Sequence, residues 1–254
     1  AMGAEITGEG TEQITVYGRQ GKRLLSGCRY RVPGDRIAAG TYLLMGAATR
    51  GHLTLSGAPL DEMGAVLYLY QKIGGQYTRK SGTLVADSKN VQHAVPYVET
   101  EEYPGFPTDL QSLYLAAAMT LEGKSCICEN VFEDRLRTAE ELQKMGGTLQ
   151  ICGKWLTAEK SRLHGAEVVS QDLRGGAALV SAALAAEGFS TIRQTELIER
   201  GYERFPETLR ELGAKIIVEK KYETEKKQKK EEKQKNTDSD RGGAWRRPCR
   251  CLVF

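Results

Sequence analysis

A unit of helix, strand and helix occurs three times in this sequence, and glycines mark the ends of its helices. The first and second helix of each copy end at the pairs Gly51 and Gly74, Gly123 and Gly146, and Gly188 and Gly213. The members of a pair are 23, 23 and 25 residues apart. Glycine suits a helix end because it adopts the left-handed conformation without strain. This regular spacing predicts three equivalent units that pack around one core.

The remaining parts of each copy follow from local patterns. The first helices are predicted to begin at Asp35, at Thr108 or Asp109, and at Asp172, because aspartate and threonine are common N-caps. Strand patterns follow each first helix at residues 52–55, 125–128 and 190–192. Alternating helices and strands predict an α/β fold of repeats covering about residues 34–100, 101–165 and 166–218.

Two arginines occupy equivalent places in the second and third copies. Arg135 lies 12 residues after Gly123 and Arg200 lies 12 residues after Gly188, whereas the first copy has Met63 there. A positive side chain gains nothing from the positive end of a helix dipole, but an anion bound between two such arginines would. The pair is therefore either part of an anion site or a solvated surface pair.

Pseudo-threefold packing would bring the helix starts of the three copies together. The residues expected to converge on one surface are Arg36, Asp109, Arg135, Arg174 and Arg200. They would form a basic pocket with one embedded carboxylate. Asp109 also has a purely structural interpretation, as the N-cap of its helix.

Composition restricts the class of protein. The chain has 254 residues, of which 40% are hydrophobic, and no apolar run of about 18 residues that could span a membrane. A cytoplasmic globular protein is expected. Six cysteines and three histidines are scattered along the chain, so the sequence predicts neither a disulfide framework nor a metal site.

The two ends of the chain differ from its body. Residues 1–33 hold strand patterns at 12–17 and 28–32 but no repeat unit, and we interpret them as the end of a preceding lobe. Residues 219–254 carry 12 basic and 7 acidic side chains. Such mixed charge predicts a solvated, disordered tail, and without interleaved aromatic residues it does not favour nucleic-acid binding.

Five blocks resemble the C-terminal half of the UDP-N-acetylglucosamine 1-carboxyvinyltransferases, a branch of the enolpyruvyl transferase family. The resemblance covers about residues 4–218. The blocks are residues 30–37, Phe106-Pro107-Thr108-Asp109-Leu110-Gln111, Val131-Phe132-Glu133-Asp134-Arg135, Asp172-Leu173-Arg174 and Arg200-Gly201-Tyr202-Glu203-Arg204. The resemblance implies an inside-out α/β barrel lobe built from three repeated βαβαββ-type units, spanning residues 34–218.

The resemblance also implies a reaction of peptidoglycan and cell-wall synthesis, a pathway connected with cell shape and the cell cycle. The family transfers the enolpyruvyl group of phosphoenolpyruvate to the 3-hydroxyl of UDP-N-acetylglucosamine and releases phosphate. No cofactor is implied. The family's catalytic cysteine and lysine belong to a first lobe that has no counterpart here, so the resemblance implies a fragment that is inactive without that lobe.

Site residues follow from the matched blocks. By resemblance, Asp109 contacts the sugar hydroxyl and takes its proton, while Arg135, Arg174 and Arg200 face phosphoenolpyruvate. Val131 and Phe132 would lie beside the nucleotide sugar, and Thr108 and Arg36 complete the predicted substrate-binding set. Two alternatives stay open: a non-catalytic remnant that binds anions or nucleotide sugars, and a relative of the shikimate-pathway enolpyruvyl transferase.

Overall fold

The computed structural model describes residues 2–9, 11–18, 21 and 26–219. The chain divides into two compact units, residues 1–203 and residues 204–254. The predicted disordered tail lies outside the described residues from residue 220 onward. The domain boundaries drawn from the sequence stay predictions.

Helices alternate with strands along the described chain. The helices are α1 (Arg36–Thr49), α2 (Gly64–Lys72), α3 (Gln111–Ala118), α4 (Thr138–Lys144), α5 (Leu173–Ala185) and, in the second unit, α6 (Phe205–Glu211). The strands are β1 (Glu5–Thr7), β2 (Thr15–Tyr17), β3 (His52–Ser56), β4 (Gln76–Lys80), β5 (Thr83–Asp87), β6 (Tyr97–Glu99), β7 (Lys124–Cys128), β8 (Thr148–Cys152), β9 (Trp155–Glu159), β10 (Glu167–Val169) and β11 (Thr191–Arg193).

The first helices of the three repeats form the centre of the first unit. Helices α1, α3 and α5 contact one another pairwise. Their contacting sides are apolar, and the side chains of Leu43, Leu113 and Leu179 are at most 1% exposed. Burying a leucine side chain contributes roughly 1.5–3 kcal/mol, so this three-helix core is a main source of stability. The core also fixes the three helix starts relative to one another.

The glycines predicted to end the second helices adopt the expected conformation. Gly74, Gly146 and Gly213 follow α2, α4 and α6, and their φ angles are 100°, 89° and 99°. The left-handed conformation ends each helix and turns the chain. At the first helices the prediction holds only in part, since Arg50, not Gly51, takes the left-handed position after α1 with φ 59°.

Three sheets pack against helices of the first unit. The first has the strand order β3-β5-β4, the second β6-β7-β9-β8, and the third pairs β10 with β11. The pairs β6–β7 and β10–β11 are parallel, and the other pairs in these sheets are antiparallel. Strands β3, β7 and β11 confirm the strand patterns that the sequence places after each first helix. Inward side chains such as Ile127 and Leu156 are fully buried.

Arg50 ties two repeats together at the C-terminal ends of their first helices. Its guanidinium donates hydrogen bonds to the carbonyl of Ala47 at 2.6 Å and to the carbonyl of Thr120 at 2.8 Å. Carbonyl groups at a helix C-terminus carry partial negative charge, which a guanidinium compensates. Partial burial lowers the pKa of Arg50 from its ordinary value.

Two local predictions are wrong. Residues 28–32 were predicted to form a strand but do not. Strand β2 pairs with β1 instead, and without a neighbouring strand residues 28–32 have no backbone partners for strand hydrogen bonds among the described residues. Neither Thr108 nor Asp109 caps α3, because both lie inside a 3-10 turn, Thr108–Leu110, that precedes the helix and is entered from Pro107. Both side chains are engaged elsewhere. Asp35 and Asp172 do cap α1 and α5, as the sequence predicts.

Candidate active site

Three of the predicted site residues form one cluster, which we call the arginine cluster: Asp109, Arg135 and Arg174. Arg135 Nη2 donates a hydrogen bond to Asp109 Oδ1 at 2.9 Å. Arg174 Nη2 lies 3.6 Å from the other carboxylate oxygen, Oδ2. One carboxylate thus bridges two guanidinium groups from different repeats. The structure brings these residues together from positions 26 and 39 residues apart in the chain.

Each member of the cluster stands at the beginning of a helix. Asp109 lies in the 3-10 turn before α3, and Arg135 lies in another 3-10 turn, Glu133–Arg137, that leads into α4. Arg174 lies in the first turn of α5. The three-helix core holds the starts of α3 and α5 at one end, and α4 packs against both helices. Side chains distant in sequence therefore reach one another.

Asp172 supports the cluster from the start of α5. Its Oδ1 accepts hydrogen bonds from the amides of Arg174 and Gly175, both at 2.8 Å. The same oxygen lies 3.9 Å from Arg135 Nη1. A carboxylate at a helix N-terminus satisfies amides that have no partner within the helix. Asp172 therefore fixes the turn that carries Arg174 and adds a second acidic neighbour for Arg135.

Both arginines keep buried N–H groups without a partner. The side chains of Arg135 and Arg174 are 10% and 13% exposed. Arg135 Nε and Arg174 Nη1 have no hydrogen-bond partner among the described residues, although both atoms are buried. A buried unsatisfied donor on a charged group is costly, and in native proteins it calls for a specific explanation. A bound anion is one partner that could satisfy donors of this kind.

Aromatic rings hold the two guanidinium groups in place. The Arg135 guanidinium carbon lies 5.0 Å from the ring centroid of Phe132, and that of Arg174 lies 5.4 Å from the ring of Tyr202. The Tyr202 hydroxyl is 2.8 Å from Thr41 Oγ1 on α1. Cation–π contacts of this kind stabilise an arginine and restrict its orientation. Phe132 is half exposed.

A surface pocket of about 150 Å³ opens beside Asp109. Its lining includes the predicted substrate-binding residues Arg36, Thr108 and Val131. The Arg36 guanidinium lies 5.5 Å from the ring centroid of Tyr103, which also lines the pocket. The Asp109 side chain is 37% exposed. A partly exposed carboxylate next to a pocket has the access that a general base needs.

Arg200 does not join the cluster in this structure. It is the last residue of the 3-10 turn Thr195–Arg200 and is exposed. Its side chain makes no hydrogen bond or ion pair with another residue of the described part of the chain. Its catalytic role stays a prediction, as does its equivalence to Arg135, which lies in the middle of the corresponding turn.

Sequence reasoning missed Glu129. This residue is 3% exposed, and one of its carboxylate oxygens accepts four hydrogen bonds, three from the segments that carry Asp109 and Arg135 and one from Thr100. The signal was a glutamate directly after the predicted strand 125–128, where burial of an unpaired charge would be costly. Within the described residues no group of histidine, cysteine, aspartate and glutamate side chains could hold a metal ion, and no helix is long and apolar enough to cross a membrane.

Comparisons with known proteins give this cluster a family context. The sequence profile of EPSP synthase (3-phosphoshikimate 1-carboxyvinyltransferase) matches residues 1–209 of the chain. The chain belongs to this enolpyruvyl transferase family. The arginine cluster and the pocket lie within the matched residues.

Two curated relatives bear the name of one branch of the family. The chain is 42% identical over 227 residues to UDP-N-acetylglucosamine 1-carboxyvinyltransferase 1 of Legionella pneumophila. This alignment covers 88% of this chain and 44% of that protein. It is 41% identical over 216 residues to UDP-N-acetylglucosamine 1-carboxyvinyltransferase of Thermus thermophilus. This second alignment covers 85% of this chain and 50% of that protein. The chain therefore spans about half the length of the curated relatives it matches.

Solved structures confirm the predicted fold. The enolpyruvyl transferase NikO from Streptomyces tendae superposes with a TM-score of 0.74 at 25% identity, over 84% of this chain and 51% of NikO. EPSP synthase from Acinetobacter baumannii gives a TM-score of 0.66 at 20% identity, over 86% of this chain and 54% of that enzyme. The inside-out α/β barrel lobe implied by the resemblance, with the three repeats that the glycine spacing predicts, is the lobe of the enolpyruvyl transferase fold.

Proposed function

We propose that this chain is the C-terminal lobe of a UDP-N-acetylglucosamine enolpyruvyl transferase of peptidoglycan synthesis, working in the cytoplasm. The observation that carries the proposal is the arginine cluster with its unpaired buried donors, Arg135 Nε and Arg174 Nη1. Relatives at about 40% identity bear the name of this activity. The lobe is proposed to act together with the half of those relatives that the chain does not cover.

Asp109 is the proposed general base. It takes the proton of the sugar 3-hydroxyl while the hydroxyl oxygen forms a bond to the central carbon of phosphoenolpyruvate. The methylene carbon of phosphoenolpyruvate gains a proton from a group outside this chain, which gives a tetrahedral intermediate. Elimination then breaks the bond to the phosphate oxygen and removes a proton from the methyl group, so phosphate and the enolpyruvyl sugar leave.

Arg135 and Arg174 are the proposed binding groups for the carboxylate and phosphate of phosphoenolpyruvate. A guanidinium presents planar, paired donors that match these anions. Held in a site with little water, such donors stabilise charge that develops in the intermediate. The contact with Asp109 keeps both guanidinium groups aligned before substrate arrives. Arg200 is proposed to reach the same anion when the other half of the enzyme is present.

The pocket beside Asp109 is the proposed binding surface for the nucleotide sugar. Arg36 would contact the diphosphate, and Thr108 and Val131 would contact the sugar. Phe132 would pack beside the sugar ring while its face contacts Arg135. The pocket volume of about 150 Å³ accommodates only part of a nucleotide sugar, since ligand pockets generally measure about 300–1,000 Å³. The rest of the site would come from the other half of the enzyme.

Isothermal titration of the whole chain tests the binding proposal. Phosphoenolpyruvate and UDP-N-acetylglucosamine are titrated into the wild-type chain and into a variant with Arg135→Ala and Arg174→Ala. Arg162→Ala is the matched control, because this arginine is 85% exposed and paired to Glu187. We expect phosphoenolpyruvate binding in the wild type and the control and loss of binding in the double variant. Equal binding by all three proteins, or none by a folded wild type, would contradict the proposal.

A second experiment tests the reaction. The half of the Thermus thermophilus relative that this chain does not cover is expressed separately and mixed with the chain. Phosphate release is expected only when both substrates and both halves are present. Asp109→Asn should abolish this release while the mixture retains phosphoenolpyruvate binding. Binding without any phosphate release in the mixture would support the non-catalytic alternative.

A further inference from the structure

Glu129 concentrates an unusual number of hydrogen bonds on one atom. Its Oε1 accepts from Thr100 Oγ1 at 2.7 Å, from Thr108 Oγ1 at 2.9 Å, and from the amides of Val131 and Phe132, both at 2.9 Å. The residue is 3% exposed. Hydrogen bonds to a carboxylate are shorter and stronger than neutral ones. Four such bonds on one oxygen make Glu129 a rigid junction within the second repeat.

The junction connects three segments. Thr100 follows strand β6, Thr108 opens the 3-10 turn that carries Asp109, and the amides of Val131 and Phe132 precede the turn that carries Arg135. Thr100 Oγ1 also accepts from the amide of Asn130 at 2.9 Å, so the loop after β7 is tied to β6 at two points. The segments meet at one buried carboxylate that makes no hydrogen bond or ion pair with the arginine cluster in the described part of the chain.

This placement bears on the distance between Asp109 and Arg135. The 2.9 Å ion pair joins side chains on two irregular turns, and neither turn has a side-chain N-cap. A turn without such support takes its position from its neighbours. Both segments are instead anchored to the same oxygen of Glu129, through Thr108 next to Asp109 and through the amides of Val131 and Phe132 just before the turn that carries Arg135. The carboxylate thereby sets the spacing between the proposed base and the proposed anion-binding arginine.

We propose that Glu129 is a positioning residue of the active site, which fixes Asp109 and Val131 for the nucleotide sugar and Arg135 for phosphoenolpyruvate. The proposal rests on the proposed function for its effect on substrates, but its structural part does not. Glu129 touches no proposed substrate group and takes no part in proton transfer. Its second oxygen, Oε2, is buried without a partner in the described structure, so the residue serves through Oε1 alone.

Amide hydrogen exchange measured by NMR tests the structural part without any ligand. Glu129→Ala removes the acceptor of the Val131 and Phe132 amides, so their exchange should accelerate about 10-fold or more. The amide of Ala117, in the last turn of α3 and fully buried, reports on the core and should not change. Glu129→Gln retains an oxygen that can accept these bonds and should keep most of the protection. This rescue separates a specific acceptor from a mere filler of space.

Titration with UDP-N-acetylglucosamine tests the functional part on the same proteins. Glu129→Ala should weaken binding about 10-fold, and Glu129→Gln should restore most of it. Thr108→Val deletes one donor while preserving the shape of the side chain. It should weaken sugar binding through the Asp109 turn and leave the Val131 and Phe132 amides protected, which serves as a second test if Glu129→Ala does not fold.

The outcomes are distinguishable. Unchanged exchange at Val131 and Phe132 in Glu129→Ala overturns the proposal, and so does loss of protection that includes Ala117, because Glu129 would then support the fold as a whole. Unchanged sugar binding in both Glu129→Ala and Thr108→Val also overturns it. If the wild-type chain binds no UDP-N-acetylglucosamine, the proposed function fails, while the exchange data still decide whether Glu129 holds the two turns.

Discussion

Arg135→Lys separates the shape of the guanidinium from its charge. Arg135 donates to Asp109 through Nη2 at 2.9 Å and keeps a buried Nε without a partner. A lysine carries the same charge on a single nitrogen, and its three N–H donors cannot match the planar, two-nitrogen arrangement with which a guanidinium holds Asp109 and an anion at separate positions. The variant therefore loses one charge-assisted hydrogen bond to the ligand. Such a bond contributes about 1.5–3 kcal/mol.

This free energy converts directly into affinity. Because 1.4 kcal/mol corresponds to a tenfold change in Kd, phosphoenolpyruvate should bind Arg135→Lys about 10 to 150 times more weakly than the wild type. Isothermal titration measures the loss, and thermal unfolding checks that the variant is folded. The control is Arg162→Lys, the same substitution at a side chain that is 85% exposed, where no change in affinity is expected.

Two results would refute the reasoning. Wild-type affinity in Arg135→Lys would mean that charge alone attracts the anion and that the free Nε is irrelevant. An equal loss of affinity in Arg162→Lys would mean that the anion binds through the general charge of the surface. A selective loss in Arg135→Lys supports an anion seated against the buried donor.

Two further predictions concern stability and titration. In urea unfolding, Gly74→Ala should lower the free energy of unfolding by about 1–3 kcal/mol more than Gly123→Ala does. Both glycines have positive φ, 100° and 94°, but a Cβ at Gly74 would lie 2.4 Å from the carbonyl oxygen of Asn90, whereas one at Gly123 would meet nothing within 4 Å. Equal losses in the two variants would refute this steric explanation. The hydrogen bond that Tyr97 donates to Glu99 raises the pKa of Tyr97 to about 12. Its contribution to stability should therefore be present up to about pH 10 and be lost as the pH rises toward 12. Ultraviolet titration of Glu99→Gln should find a lower Tyr97 pKa than in the wild type.

The repeat pattern predicted most of the fold because each of its signals is local. Glycines such as Gly74 and Gly146 end helices wherever a left-handed residue is needed, and that requirement does not depend on distant contacts. The same holds for Asp35 and Asp172, which cap helices through amides two or three residues away. Short-range chemistry of this kind is visible in the sequence.

Thr108 and Asp109 show where local reasoning fails. Both are good capping residues, yet the Thr108 hydroxyl donates to Glu129, and the Asp109 carboxylate pairs with Arg135. These partners lie 21 and 26 residues away in sequence, and only packing of the second repeat brings them close. Glu129 was missed for the same reason, since a four-fold acceptor is visible only once three segments meet. The position of Arg200 could not be derived from its spacing, because its turn differs in length from that of Arg135.

The dipoles of the three core helices all point in the same direction. Helices α1, α3 and α5 all begin at the end that carries the arginine cluster, whereas the guanidinium of Arg50 lies at the opposite end, against the last carbonyls of α1 and the carbonyl of Thr120. Each helix start contributes roughly half a positive charge. Arg50 thus compensates carbonyls at one end, whereas at the other end Asp35 and Asp172 cap two of the helices and the buried donors Arg135 Nε and Arg174 Nη1 still have no partner among the described residues. An approaching anion would be steered toward the cluster before it makes any contact, and added salt would slow its arrival by shortening the reach of that field to about 8–10 Å.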